Sequence, residues 1–91
     1  MKLKFYAEFR SITKCKEVDI TAPPDIWALL VYLGERYGNA LRVKLFTPDG
    51  EDIASDINIL LNGRNIHFLQ GKNTRLTEAD TVSIFSSVAG G

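Results

Sequence analysis

Apolar and polar residues alternate without a break at the start of the chain. Leu3, Phe5, Ala7 and Phe9 fall on one side, and Lys2, Lys4, Tyr6, Glu8 and Arg10 on the other. A period of two is the pattern of a strand with one buried face. After a polar turn at 11–16, Val18 and Ile20 alternate with Glu17, Asp19 and Thr21, which predicts a second strand able to pair back on the first. The period then changes at Ala22-Pro23-Pro24-Asp25. Proline suits the first turn of a helix, and the Asp25 carboxylate suits its positive end. Ile26, Leu29, Leu30, Leu33 and Tyr37 recur at the spacing of an amphipathic helix, with Gly38-Asn39 as its stop. Gly34 costs that helix about 1 kcal/mol relative to alanine; close packing of helix on sheet would explain it, but the sequence alone does not show that packing. Trp27 and Val31 lie off the stripe. They either widen the core face, the favoured reading, or form a partner-binding ridge.

The second half is read in the same way. Leu41, Val43, Leu45 and Phe46 fit a short helix or an extended stretch equally well. Pro48-Asp49-Gly50 is a turn, because proline pre-sets φ and glycine tolerates positive φ. Residues 50–56 read as an acidic loop, and residues 57–61 as a third strand. Asn62-Gly63 is a strong hairpin signal, returning residues 64–69 as a fourth strand. Leu76 is expected to plug the core. Residues 81–85 form the last strand, with Val82 and Ile84 inward and Phe85 outward. A hairpin, a helix and three further strands predict an α+β domain, one main helix laid across a mixed five-stranded sheet, with the last strand central beside the first. This is the β-grasp, or ubiquitin-like, roll.

Ninety-one residues are expected to make a single domain, 1–91, with residues 85–91 as an exposed, flexible tail. The chain has 45% hydrophobic and 24% charged residues, ordinary for a globular protein. Eleven basic residues balance eleven acidic ones, which argues against nucleic acid or an anionic membrane as the main partner. Charges interrupt the first residues, so no signal peptide or membrane span is expected there, and a cytoplasmic location is. Cys15 stands alone and completes neither a disulfide nor a metal set, so it reads as a turn thiol. His67 is also alone and reads as a surface strand residue. No nucleophile–base pair, metal set or phosphate loop is evident, and neither a cofactor nor a metal is expected.

Chemistry is instead expected at the end of the chain, Val88-Ala89-Gly90-Gly91. Glycine lacks Cβ, so such a tail can thread a narrow channel. The carboxylate of Gly91 can then be brought to a nucleotide α-phosphate, where positioning supplies much of the rate.

The residues that carry a resemblance run nearly end to end. They are Lys4-Phe5-Tyr6-Ala7 with Phe9-Arg10, then Leu29-Leu30, Leu33 and Arg36-Tyr37-Gly38, then Leu61-Asn62-Gly63-Arg64-Asn65-Ile66, Phe68-Leu69 and Gly71. Thr74, Leu76, Asp80, Val82-Ser83-Ile84-Phe85 and Val88-Ala89-Gly90-Gly91 complete the set. On these the chain resembles the small subunit of molybdopterin synthase, a sulfur carrier of the ubiquitin-like superfamily. Ser86-Ser87 departs from the Pro-Pro of many relatives and leaves the tail less stiff. Lys72-Asn73 stands where relatives often carry an acidic residue.

The resemblance implies a two-stage chemistry. An E1-like enzyme uses ATP to adenylate the Gly91 carboxylate, and sulfur from a donor such as a cysteine desulfurase replaces AMP to give a thiocarboxylate. The tail, Val88, Ala89 and Gly90, then inserts into the synthase large subunit, where the sulfur passes to cyclic pyranopterin monophosphate. On this reading the chain is a sulfur-donating subunit with no active site of its own. Phe85 and Phe68 are the expected partner-facing residues, with Arg10 and Arg64 as lesser rim candidates. Alternatives are sulfur delivery to tRNA or a thiazole, conjugation of Gly91 to lysines of other proteins, and an interaction module with an idle tail.

Overall fold

A computed structural model describes residues 1–86 of the chain. Five strands form one mixed sheet in the order β2-β1-β5-β3-β4. They are β1 (Lys2–Phe5), β2 (Glu17–Asp19), β3 (Ile57–Leu61), β4 (Arg64–Asn65) and β5 (Thr81–Ser86). The last strand is central and parallel to the first, with Leu3 opposite Val82 and Phe5 opposite Ile84. The other pairings are antiparallel, and Ile59 meets Ile84 across β3 and β5. One face is apolar by alternation. Leu3, Phe5, Ile59, Val82 and Ile84 are buried there, under helices α1 (Glu8–Thr13), α2 (Ile26–Tyr37) and α3 (Asn39–Leu45). The opposite face presents Lys2, Lys4, Asn58, Leu60, Ser83 and Phe85, none of them buried.

The helix α2 supplies the centre of the core through Ile26, Leu29, Leu30 and Leu33. Each such side chain contributes about 1.5–3 kcal/mol when it leaves water. The Asp25 side chain accepts from the Ala28 N–H at 2.8 Å and so caps the helix. Backbone bonds from Ile26 N–H to Thr74 O and from Leu76 N–H to Pro24 O fasten the start of α2 to the segment before β5. Leu76 is buried, as expected of a core plug.

Three local expectations are corrected and one ambiguity is resolved. The first strand stops at Phe5, and residues 8–13 are helical. Ala7 takes φ 49° and is exposed, whereas Phe9 is fully buried. Phe5 and Phe9 are four apart, so a strand and a helical turn place both on the same side, and alternation alone cannot separate the two. The backbone shows which is right: Ala7, on the same side in a strand, is exposed, and the Ser11 and Lys14 N–H groups donate one turn back to Ala7 O and Arg10 O.

The ambiguous segment after Gly38 is helix α3, with Leu41 and Leu45 inward. The fourth strand is only two residues long. The Asn65 side chain accepts from His67 N–H at 2.9 Å and opens a 3-10 turn, Ile66–Phe68, that turns Ile66 inward. Thus His67 and Phe68 are not strand residues. Finally, β5 runs through Phe85, as its alternation predicts, and on to Ser86, which was expected in the tail.

Two readings of α2 also change. Gly34 packs against α3, not the sheet: a Cβ there would lie 3.2 Å from Arg42 Nε and 3.7 Å from the Phe46 ring. Trp27 and Val31 do not widen the core. They line an open groove of about 710 Å³ with Phe46, Val43 and Pro48.

Candidate functional site

Strand β5 ends at the middle of the sheet, so the chain beyond Ser86 continues from its centre. Val88, Ala89, Gly90 and Gly91, the predicted reacting tail, lie outside the described residues, as does Ser87. The body beside that exit is well defined. Phe85 is placed on the open face by the alternation that buries Val82 and Ile84. Its ring stands edge to face with Tyr6, centroids 6.2 Å apart and planes at 85°. Tyr6, Leu60, Ser83 and Phe85 line a shallow hollow of about 320 Å³, mostly apolar in side chain.

The predicted candidates separate in space. Phe68 is 83% exposed but does not line this hollow. Arg10, on α1, lines a neighbouring hollow with Lys4, Tyr6 and Lys16. Arg64 is exposed at the far hairpin. Tyr6 is the residue that sequence reasoning passed over. It counted among the polar positions of the first strand, although an aromatic two residues from Lys4, on the open side of the sheet, is itself a signal.

A hydrogen-bonded clasp sets where β5 begins. The Asn62 N–H donates to Thr81 O at 2.8 Å, and the Asn62 side-chain oxygen accepts from Thr81 N–H at 2.9 Å. The Asn62 amide also donates to Asp80 Oδ1 at 2.9 Å, while Asp80 Oδ2 accepts from Thr77 N–H at 2.8 Å. The bond from Asn62 holds the Asp80 carboxyl below its ordinary range, outweighing the opposite effect of burial, and the Thr77 N–H adds to it. Asn62 does this while occupying φ 52°, with Gly63 at φ 85°, the paired left-handed residues of a two-residue hairpin.

Elsewhere, Cys15 is half-buried, its Sγ 3.6 Å from Thr13 Oγ1. Burial pushes the Tyr37 phenol up, and the Cys15 thiol beside it adds to the shift. Among the described residues no group of three or more His, Cys, Asp or Glu is placed to hold a metal ion. Nor is any helix long and apolar enough to cross a membrane.

A central parallel strand pair, antiparallel flanks and a helix packed across one face define a ubiquitin-like β-grasp protein. A family model described as the ThiS family matches residues 3–91, and the chain belongs to that family. It is 34% identical over 93 residues to small archaeal modifier protein 3 of Haloferax volcanii, covering 100% of this chain and 98% of that protein. The solution structure of small archaeal modifier protein 1 from Methanosarcina acetivorans superposes with a TM-score of 0.87 at 30% identity, over 99% of this chain and 94% of that one. A Pyrococcus furiosus structure described as "putative molybdopterin converting factor, subunit 1" gives 0.75 at 26% identity, over 96% and 95%.

Proposed function

We propose that this protein is a sulfur carrier whose Gly91 carboxylate is the reacting group, and that it serves as the small subunit of a molybdopterin synthase. The carboxylate attacks the α-phosphate of ATP on an E1-like enzyme and displaces pyrophosphate. The outer sulfur of a persulfide on a cysteine desulfurase or related donor then displaces AMP from the acyl-adenylate to give an acyl disulfide, and a thiol reductant cleaves its S–S bond to leave the thiocarboxylate. A carboxylate is a poor acyl donor because it must expel oxide, and adenylation supplies the leaving group. The thiocarboxylate sulfur is then transferred, in the large subunit, to cyclic pyranopterin monophosphate. The observation that carries this reading is the position of β5. It is the central strand, Gly90-Gly91 follow it closely in sequence, and Phe85 near its end lines an aromatic hollow.

Membership of the ThiS family and the likeness to the Pyrococcus furiosus structure support the sulfur chemistry and its acceptor. The likeness to two small archaeal modifier proteins supports a second use of the same activated carboxylate, conjugation to lysines of other proteins. The two uses share the adenylate and diverge after it. Incubating the protein with an E1-like enzyme, ATP, a sulfur donor, the large subunit, cyclic pyranopterin monophosphate and lysine-bearing acceptor proteins separates them. A pterin dithiolene as product supports the synthase role. Gly-Gly remnants on lysines, with no dithiolene, support the modifier.

A further inference from the structure

We propose that the groove between α2 and α3 docks an amphipathic helix of a partner protein, one whose apolar stripe is flanked by lysine or arginine. The groove lies on the helical side of the sheet, away from the open face that bears Tyr6 and Phe85, so the inference goes beyond the carrier chemistry. Trp27 and Val31 sit off the stripe that α2 sends into the core, and with Val43, Phe46 and Pro48 they line about 710 Å³. Val43 is 72% exposed and Val31 41%. Apolar side chains gathered round a tryptophan are the usual anchor of a protein interface. The walls are held before anything binds. The Trp27 ring stands edge to face with Phe46, centroids 5.1 Å apart, and Lys72 Nζ lies 5.0 Å from its centroid. Arg42 donates to Asn39 Oδ1 at 2.7 Å and to Gly34 O at 2.9 Å. A preformed surface loses little freedom on binding, so more of the contact free energy appears as affinity.

Shape and charge select the occupant. An open groove suits a helix laid into it better than a small molecule, which binds where most of its surface is enclosed. The cations at the groove are already used, Arg42 in the bonds above and Lys72 by Glu51 O at 3.1 Å and Asp52 Oδ1 at 4.0 Å. Glu35 lines the groove, and Asp49 and Glu51 follow Pro48 at its edge. All three are exposed, and among the described residues no ion pair engages them. Asp49 is fixed there by the Thr47 hydroxyl at 2.6 Å and the Glu51 N–H at 3.0 Å. A rim whose free charge has one sign attracts and orients the opposite charge. A second copy meeting this groove with its own would set acid against acid, and a phosphate backbone would be repelled in the same way.

The test titrates the full chain with a synthetic helical peptide whose leucines form one face and whose lysines flank it. Binding is followed by the fluorescence of Trp27, the one tryptophan of the chain, and by the amide signals of the isotopically labelled protein. The peptide is expected to change the Trp27 emission and to shift Val31, Glu35, Val43, Phe46 and Gly50. Its affinity should fall roughly tenfold when glutamates replace its lysines, a change that leaves the protein untouched. A similar fall, the sum of three rim contacts, is expected in the Glu35→Gln, Asp49→Asn, Glu51→Gln variant. It is also expected in the Val31→Ser, Val43→Ser variant, which thins the apolar wall at two exposed positions. Equal affinity for the two peptides, an unchanged affinity in either variant, shifts centred on Tyr6 and Phe85, or tighter binding of a small neutral aromatic such as benzyl alcohol would each overturn the proposal. Self-association of the wild type that Val31→Ser, Val43→Ser abolishes would overturn it too, by assigning the groove to a second copy.

Discussion

Replacing Asn62 by alanine removes three things at once, and each has a magnitude. The side chain gives up its bond to Asp80 and its acceptance from Thr81 N–H, each about 0.5–1.5 kcal/mol and toward the lower end in so exposed a place. Alanine must also hold φ 52°, a left-handed conformation that asparagine tolerates and most L-residues enter at a cost of roughly 1–2 kcal/mol. The sum is about 2–3 kcal/mol, a large part of the stability of a domain this size. Asn62→Gly keeps the conformation and loses only the bonds, so it should cost about 1–2 kcal/mol.

Urea unfolding followed by circular dichroism measures both, and a cycle with Asp80→Ala isolates the pair. The coupling expected between Asn62 and Asp80 is about 0.5–1 kcal/mol at neutral pH. Its pH dependence has a definite sign. The folded Asp80 carboxyl titrates below its ordinary 3.8, so its contribution is present above that value and is lost as pH falls through the folded value. Additive effects of Asn62→Ala and Asp80→Ala at neutral pH, or equal costs for Asn62→Ala and Asn62→Gly, would refute the reasoning.

Three other outcomes follow from the packing. Phe9→Ala should cost about 3–5 kcal/mol in chemical denaturation, because α1 carries a fully buried ring; a loss below about 1 kcal/mol would mean that α1 is peripheral. Gly34→Ala should stay within about 0.5 kcal/mol of wild type, the helix-propensity gain offsetting the shift of Arg42, while Gly34→Val should lose roughly 2 kcal/mol or more by thermal unfolding. Phe85→Ser should leave stability within about 1 kcal/mol yet weaken binding to the adenylating enzyme at least tenfold by calorimetry, as expected of an anchor in an interface hollow.

The parts of the fold that could be read in advance are those where a single period operates. The stripe from Ile26 to Tyr37, the alternation of Val82 and Ile84 and the Asn62-Gly63 turn each admit one conformation, and the structure has it. The misreadings occur where two periods coincide or where a side chain redirects the backbone. Phe5 and Phe9 satisfy a strand and a helix alike. The Asn65 side chain caps a 3-10 turn within a sequence that reads as strand. Local propensity says nothing of α3 lying against α2, so the reason for Gly34 and the open groove at Trp27 were hidden. At the candidate site, Phe85 was readable from alternation, but its ring partner Tyr6 lies 79 residues away, just past the end of β1, and is brought near by the parallel pairing of β1 and β5.

The central claim is that Gly91 carries the sulfur. Its most direct test is the intact mass of the protein after incubation with an E1-like enzyme, ATP and a sulfur donor. The account predicts a mass gain equal to replacement of one oxygen by sulfur, mapped to the C-terminal peptide and abolished by deletion of Gly91. An unchanged mass with enzymes shown to be active on another carrier, or the same gain after Gly91 is deleted, would contradict it.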